Sequence, residues 1–237
     1  MSTSETSRPS AGAANNDDGK EDPSFVRWRE TLSSFLTPRP LTAHETAAKE
    51  AKNIEAATQQ EERENARCER WKKKLLQSSP MVKFMMDNLE KAGCPFREDH
   101  FRCTPCEVTR AGGFAPDYGI ILCQNSFLSK KHMEDTMTHE LIHAYDQCTT
   151  KVDWNNCEHY ACSAIRAASL SGDCKFTREL RRGFFSVAKH HQACVKRRAI
   201  AELKQLPQCQ EERVAEDAVR VVWDSCFKDT APFDEIP

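Results

Sequence analysis

The spacing of apolar positions changes along this chain, and each spacing predicts a different element. Residues 1–22 are polar, rich in Ser, Gly, Asn and Asp, and are expected to be disordered. Phe25, Trp28, Leu32, Phe35 and Leu36 then recur at helical spacing until Pro38 and Pro40 end the segment. Its aromatic face can dock on the domain, on a partner or on a membrane surface. From Thr42 to Gln77, Ala, Glu, Lys and Arg predominate, which predicts a long solvent-rich helix anchored near its end by Trp71, Leu75 and Leu76. The Lys72–Lys74 cluster is expected to be a solvated face. Ser79-Pro80 reads as an N-cap followed by a first-turn proline, opening a helix that runs to Ala92 and closes at Gly93. Met81, Phe84, Met85, Asn88 and Leu89 form its expected buried stripe. Between 94 and 127 the period shortens, Gly112, Gly113, Pro116 and Gly119 punctuate β-type runs, and Tyr118 to Gln124 is the strongest strand. Further helices are predicted near 156–170, 175–191, 193–205 and 211–227, with breaks at Gly172 and Pro207. The division that follows is a disordered N-terminus (1–22), a helical N-terminal extension (23–78) and one catalytic-size α+β domain (79–237) with a small sheet and a helical C-terminal half.

The stretch between strand and helical half, Thr138 to Asp146, carries the chemistry. It reads THELIHAYD and contains HExxH in His139, Glu140 and His143. At about 100° per residue, two histidines four apart stand one above the other on a helix and can share a tetrahedral metal ion, with zinc (Zn2+) the expected one. Glu140, beside the first ligand, is placed to take a proton from an attacking water and pass it to a leaving amine. That is the chemistry of peptide-bond hydrolysis. Asp146 falls on the histidine side, while Met137, Leu141, Ala144, Tyr145 and Cys148 gather opposite. In HExxH proteases an edge strand just upstream pairs with extended substrate. Tyr118 to Gln124 is therefore either such an edge or an ordinary core strand.

Composition narrows the setting. A formal net charge of −2 excludes a positive field that would recruit nucleic acid. No apolar run reaches bilayer-spanning length and the N-terminus lacks a signal-peptide core, so membrane association is expected to be peripheral. Twelve cysteines, none before Cys68, suit a disulfide framework in an oxidising compartment. Without a secretory signal, the mitochondrial intermembrane space is the leading candidate. Cys103 and Cys106 have CxxC spacing, which admits a structural bridge or thiol pair, or a thiol oxidoreductase; no second CxxC exists to complete a four-cysteine zinc site.

A catalytic zinc needs a third protein ligand, and the thermolysin-like arrangement expects a glutamate on the next helix, about twenty residues after the second histidine. That window is 163–164, and position 164 is Ala. THELIHAYD, the following KVDW, HYACSAIRAASLSGDC, the upstream GFAPDYGIILCQN, HHQACVKRRA and the closing DSCFKDTAPFDEIP together resemble the mitochondrial inner-membrane metalloprotease family of ATP synthase assembly, over about residues 68–236. The resemblance implies a zincin-like zinc metalloendopeptidase, peripheral on the intermembrane-space side of the inner membrane. It further implies removal of the N-terminal extension of the ATP synthase subunit 6 precursor and assistance in joining that subunit to the subunit 9 ring. His139 and His143 match the metal ligands and Glu140 the catalytic carboxylate. The family's CSEIRA is here Cys162-Ser163-Ala164-Ile165-Arg166-Ala167, so a carboxylate is replaced by a methyl group. Asp146 or His159 can then complete the metal site, with Asp146 more suited to hydrogen-bonding a ligand. Otherwise the site is degenerate and the chain serves as a non-catalytic assembly chaperone. Arg166 reads as an oxyanion-stabilising cation or as a salt-bridge partner of Asp146 or Asp153, and His190-His191 as surface histidines.

Overall fold

The computed structural model describes residues 22–36, 42–107, 110–175, 183 and 190–237. The disorder expected over 1–22 (Asp22 apart), the stop at Pro38 and Pro40, and nearly all of the helix expected over 175–191 lie outside the described residues. The chain divides into two compact units, 1–54 and 55–237.

In the first unit, helix α1 (Pro23–Leu36) keeps Phe25, Trp28 and Leu32 exposed, with the Phe25 and Trp28 rings stacked. Helix α2 (Ala43–Ser78) begins there with a reciprocal cap: the Thr42 backbone N–H donates to Glu45 and the Glu45 N–H to the Thr42 hydroxyl. In the second unit, the end of α2 buries Cys68, Lys72 and Leu75, spaced four and three apart. Lys73 and Lys74 are solvated as expected, but Lys72 is not. Its ammonium, 6% exposed, donates to the Phe101 carbonyl and pairs with Glu69, so both its charge and its protons are satisfied.

Ser79 caps α3 (Pro80–Lys91) by accepting from the Val82 N–H, and Gly93 takes the left-handed turn after it. The buried stripe is rotated from the expected one. Val82, Met85 and Leu89 face the core, whereas Phe84 turns outward and stacks on Phe233 of the C-terminal segment, ring centroids 4.7 Å apart.

Among the described residues the sheet has three strands in the order β1 (Phe101–Thr104), β3 (Gly119–Cys123), β2 (Gly112–Ala115). β3 pairs in parallel with β1 and antiparallel with β2. The strongest strand of the sequence is thus central, hydrogen-bonded on both sides, and cannot be the edge that receives a substrate. Gly119, at φ +85°, lets the hairpin return beneath the His100 carbonyl, which a Cβ would strike.

Ile120 and Leu122 lie in one core with Met85, Leu89 and the α4 (Lys130–Thr150) residues Met133, Met137, Leu141 and Ala144. A second core joins α5 (Cys157–Leu170), α6 (His190–Leu203) and α7 (Glu212–Cys226). Ala161, Ala164, Ala168, Ala199, Ala215 and Ala218 let these helices approach closely. Six disulfides use all twelve cysteines: Cys68–Cys103, Cys94–Cys148, Cys106–Cys123, Cys157–Cys209, Cys162–Cys226 and Cys174–Cys194. Cys103 and Cys106 are each bonded elsewhere, so the CxxC is neither a bridge nor a redox pair. The α+β class holds.

Candidate metal centre and cleft

The apolar stripe of α4 sets the rotation of that helix, and the rotation turns His139 and His143 toward α5 and α6. Their rings stand 4.9 Å apart. Glu202, in the last turn of α6, lies between them: its Oε2 is 3.2 Å from His139 Nε2 and its Oε1 is 2.9 Å from His143 Nε2. One ligand-type atom from each of His139, His143 and Glu202 falls within 4.8 Å of the others. Two imidazoles and a carboxylate make the donor set of a catalytic zinc site with one position left open. His139 Nδ1 lies 3.5 Å from Asp173 Oδ2, and His143 Nε2 is buried without a hydrogen-bond partner and points at Glu202. A divalent cation would satisfy that nitrogen, so the residues present fit a metal.

The charges are strongly coupled. Burial disfavours the His139 cation, but the charge of Glu202 and the hydrogen bonds that the ring donates to the Asp173 and Glu202 carboxylates outweigh burial and push its pKa up to about 10. Burial also opposes ionisation of Glu202, yet the two imidazoles hold its carboxyl well below the ordinary carboxylate range. Burial pushes Glu140 up, with His139 and His143 pulling the other way. A carboxyl raised by burial beside a metal site is suited to proton transfer near neutral pH. The Tyr160 hydroxyl donates to Glu202 Oε1 over 2.9 Å, and burial and the Glu202 charge keep it protonated far up the pH scale.

These groups open into a cleft of about 650 Å³. One wall is β2, where Gly112 comes so close to α4 that a Cβ would lie 2.8 Å from Thr136 Cγ2 and 3.3 Å from Glu140 Oε1. The other is aromatic: Trp154 packs edge-on to Phe114, His143 and Tyr160, at 5.8, 5.8 and 5.5 Å.

A model of the peptidase M76 family matches residues 66–234. The chain belongs to the peptidase M76 family. Relatives agree over most or all of the chain. The mitochondrial inner membrane protease atp23 of Aspergillus niger is 43% identical over 240 residues, covering 100% of this chain and 99% of that protein. The corresponding protease of Malassezia globosa is 42% identical, covering 92% and 97%, and that of Coccidioides immitis 48%, covering 72% and 73%. No solved structure matches. No helix among the described residues is long and apolar enough to cross a membrane.

In this M76 peptidase the residues expected at the site part company. His139, Glu140 and His143 share the cleft as expected. Asp146 does not join them as a ligand. Its Oδ1 accepts from Arg166 Nε over 2.9 Å and its Oδ2 from Ser163 Oγ over 2.7 Å, and Ser163 Oγ in turn lies 2.7 Å from His143 Nδ1. Burial raises the Asp146 carboxyl, opposed by the Arg166 charge and the Ser163 hydrogen bond. Arg166 is therefore a salt-bridge partner of Asp146 and not an oxyanion cation. His159 is exposed and accepts from the Asp153 backbone, because it sits in the capped first turn of α5, on the outer side. His190 and His191 are half-buried on α6, with His191 against Phe227 at 5.7 Å, and neither lines the cleft.

Ala164 faces the second core, fully buried among helix-packing alanines, and takes no part in the cleft lining. It is not a missing ligand. Glu202, 63 residues after His139, is the carboxylate that could complete a metal site, in place of one from the window at 163–164. Nothing in the local spacing of α6 marks Glu202, since it is one acid in a helix of mixed charge. Its distinguishing feature is burial next to two imidazoles, a tertiary property. Tyr160 and Ser163 were equally silent, although their helix was correctly placed.

Proposed function

We propose that this M76 peptidase is a zinc metalloendopeptidase, peripheral on the intermembrane-space side of the mitochondrial inner membrane. On this reading it removes the N-terminal extension of ATP synthase subunit 6 and helps that subunit join the subunit 9 ring. The observation that carries the reading is the convergence of His139, His143 and Glu202 beside buried Glu140 in an open cleft. His139, His143 and Glu202 would hold the ion. Bound zinc supplies a Lewis acid that polarises the scissile carbonyl and acidifies the attacking water. Glu140 takes the proton of that water and returns it to the leaving amine. Tyr160 keeps the Glu202 carboxylate turned toward the histidines. The substrate runs along β2, whose outer edge lines the cleft and pairs with no other strand among the described residues. Phe114, Trp154 and Tyr160 then receive an apolar side chain near the cut. Peripheral attachment suits the exposed Phe25, Trp28 and Leu32 of α1, which give one helix an aromatic face without a span.

The reading is tested by incubating zinc-loaded protein with a subunit 6 precursor. Wild type should cleave, and Glu140→Gln should lose roughly 100- to 10,000-fold in rate with its zinc retained. Equal cleavage by both would remove Glu140 from the mechanism. The alternative, an assembly chaperone with a degenerate site, drew on Ala164, whose place in the second core removes its motive. It predicts neither stoichiometric zinc nor cleavage.

A further inference from the structure

We propose that Arg166 and the C-terminal segment Asp229–Ala231 are positioning elements of the metal centre, acting through Asp146 and Ser163 on His143. The proposal rests on the metal-site reading above and adds a device that no local motif contains. Arg166 is 4% exposed and uses every face of its guanidinium. Nε donates to Asp146 Oδ1, Nη1 to the Asp229 carbonyl over 2.8 Å with the Asp229 carboxylate at 2.5 Å, and Nη2 to the Ala231 carbonyl over 2.5 Å. The tail presents those two carbonyls in a turn of its own, in which Thr230 Oγ1 donates to the Phe233 carbonyl and the Phe233 N–H to the Thr230 carbonyl. Two anchors hold the turn in place: the Cys162–Cys226 bridge just before it and the Phe84–Phe233 stack just after it.

The consequence at the metal follows from counting protons. Ser163 has one hydroxyl proton, and Asp146 Oδ2 receives it. Toward His143 the Ser163 oxygen can then only accept, so Nδ1 is held as the donor and the ring is fixed with Nε2 on the side of Glu202, the nitrogen left for an ion. Asp146 stays a two-sided acceptor because Arg166 holds its other oxygen. If Arg166 is released, Asp146 is a buried carboxylate with a single donor, and it turns away from Ser163. Ser163 then loses its acceptor and no longer holds the His143 ring by Nδ1. The tail of the chain thereby helps to orient a histidine on α4.

The test has two arms. In zinc-loaded protein with 15N-labelled histidine, NMR should find the His143 Nδ1–H as a slowly exchanging proton in the wild type, held by Ser163, with the ion on Nε2. In Ser163→Ala, Arg166→Lys and a chain ending at Lys228 that protection should be lost. In the second arm, chelator competition should show zinc affinity reduced roughly 10- to 100-fold in the same variants. Circular dichroism on each variant separates this effect from unfolding, and Ser163→Ala, which removes a single buried oxygen, keeps the test open if the truncated chain does not fold. Ligation of the ion through His143 Nδ1 in the wild type overturns the proposal, as does a folded Ser163→Ala with unchanged Nδ1–H protection and affinity. A wild type that binds no zinc would refute the metal-site reading and this proposal with it, an outcome distinct from zinc binding that Ser163→Ala leaves unchanged.

Discussion

Helix α4 brings His139, Glu140 and His143 to the cleft from five consecutive positions, whereas α6 brings Glu202 from 63 residues beyond His139. In α4 the mutual placement of the groups is a property of one turn of helix, and packing of Met133, Met137 and Leu141 only aims it. In α6 nothing local places the carboxylate. It depends on Ala199 and Leu203 seating in the second core, on the Cys174–Cys194 bridge that ties the helix start to the segment just after α5, and on the Tyr160 hydroxyl. A site assembled this way is half motif and half architecture, and the two halves should fail differently.

The sharpest way to separate them is to put a carboxylate at the position the motif alone suggests. Ala164→Glu should destabilise the protein by about 4 kcal/mol or more, because the new group is buried among alanines with no partner, and should not strengthen zinc binding. Thermal unfolding and zinc titration check both parts, and tighter binding would show that α5 does reach the ion. Glu202→Ala is the complementary change. It should weaken zinc affinity by more than about 100-fold, beyond the loss expected for a group that only supports a ligand, with the fold retained by circular dichroism. Affinity near wild type would mean that α6 contributes no ligand.

Acid should weaken the site through α4 and alkali should strengthen it. His139 holds its proton up to about 10 in the metal-free protein, and zinc has to displace it, so affinity should rise about tenfold per pH unit between about pH 7 and pH 9. The same raised pKa contributes stability to metal-free protein that is complete below the ordinary value of 6.5 and fades as pH climbs toward about 10. Zinc-loaded protein should lack that fade, since the ion has replaced the proton; melting curves of the two forms across this range make the comparison. The smallest effect belongs to the sheet side of α4. Gly112→Ala should lower cleavage roughly tenfold with zinc content unchanged, because the added methyl presses on Thr136 and on Glu140 Oε1 at 3.3 Å and a displaced base is a slower one. Full activity would show that β2 has room to move away.

Much of the fold was legible because caps and periodicity are short-range. Ser79-Pro80 and the Gly93 stop each act within a few residues, and α3 begins and ends close to them, while the short period over 118–124 finds β3. The reading went wrong where a side chain's partner lies far along the chain. Lys72 looked solvated because the Phe101 carbonyl that accepts from it is 29 residues away. Phe84 looked like core because Phe233 was not in view.

The sequence by itself determined the mutual placement of His139, Glu140 and His143, since helical geometry makes positions 139 and 143 neighbours whatever the rest of the chain does. It also determined that sulfur would staple the fold, though not which cysteines would meet. The tertiary structure alone decided that β3 is central and β2 is the edge, that Ala164 points into a core, and that Glu202 closes the triangle. Each of those depends on which surfaces pack together, and packing joins residues by shape and burial across separations that no local pattern encodes.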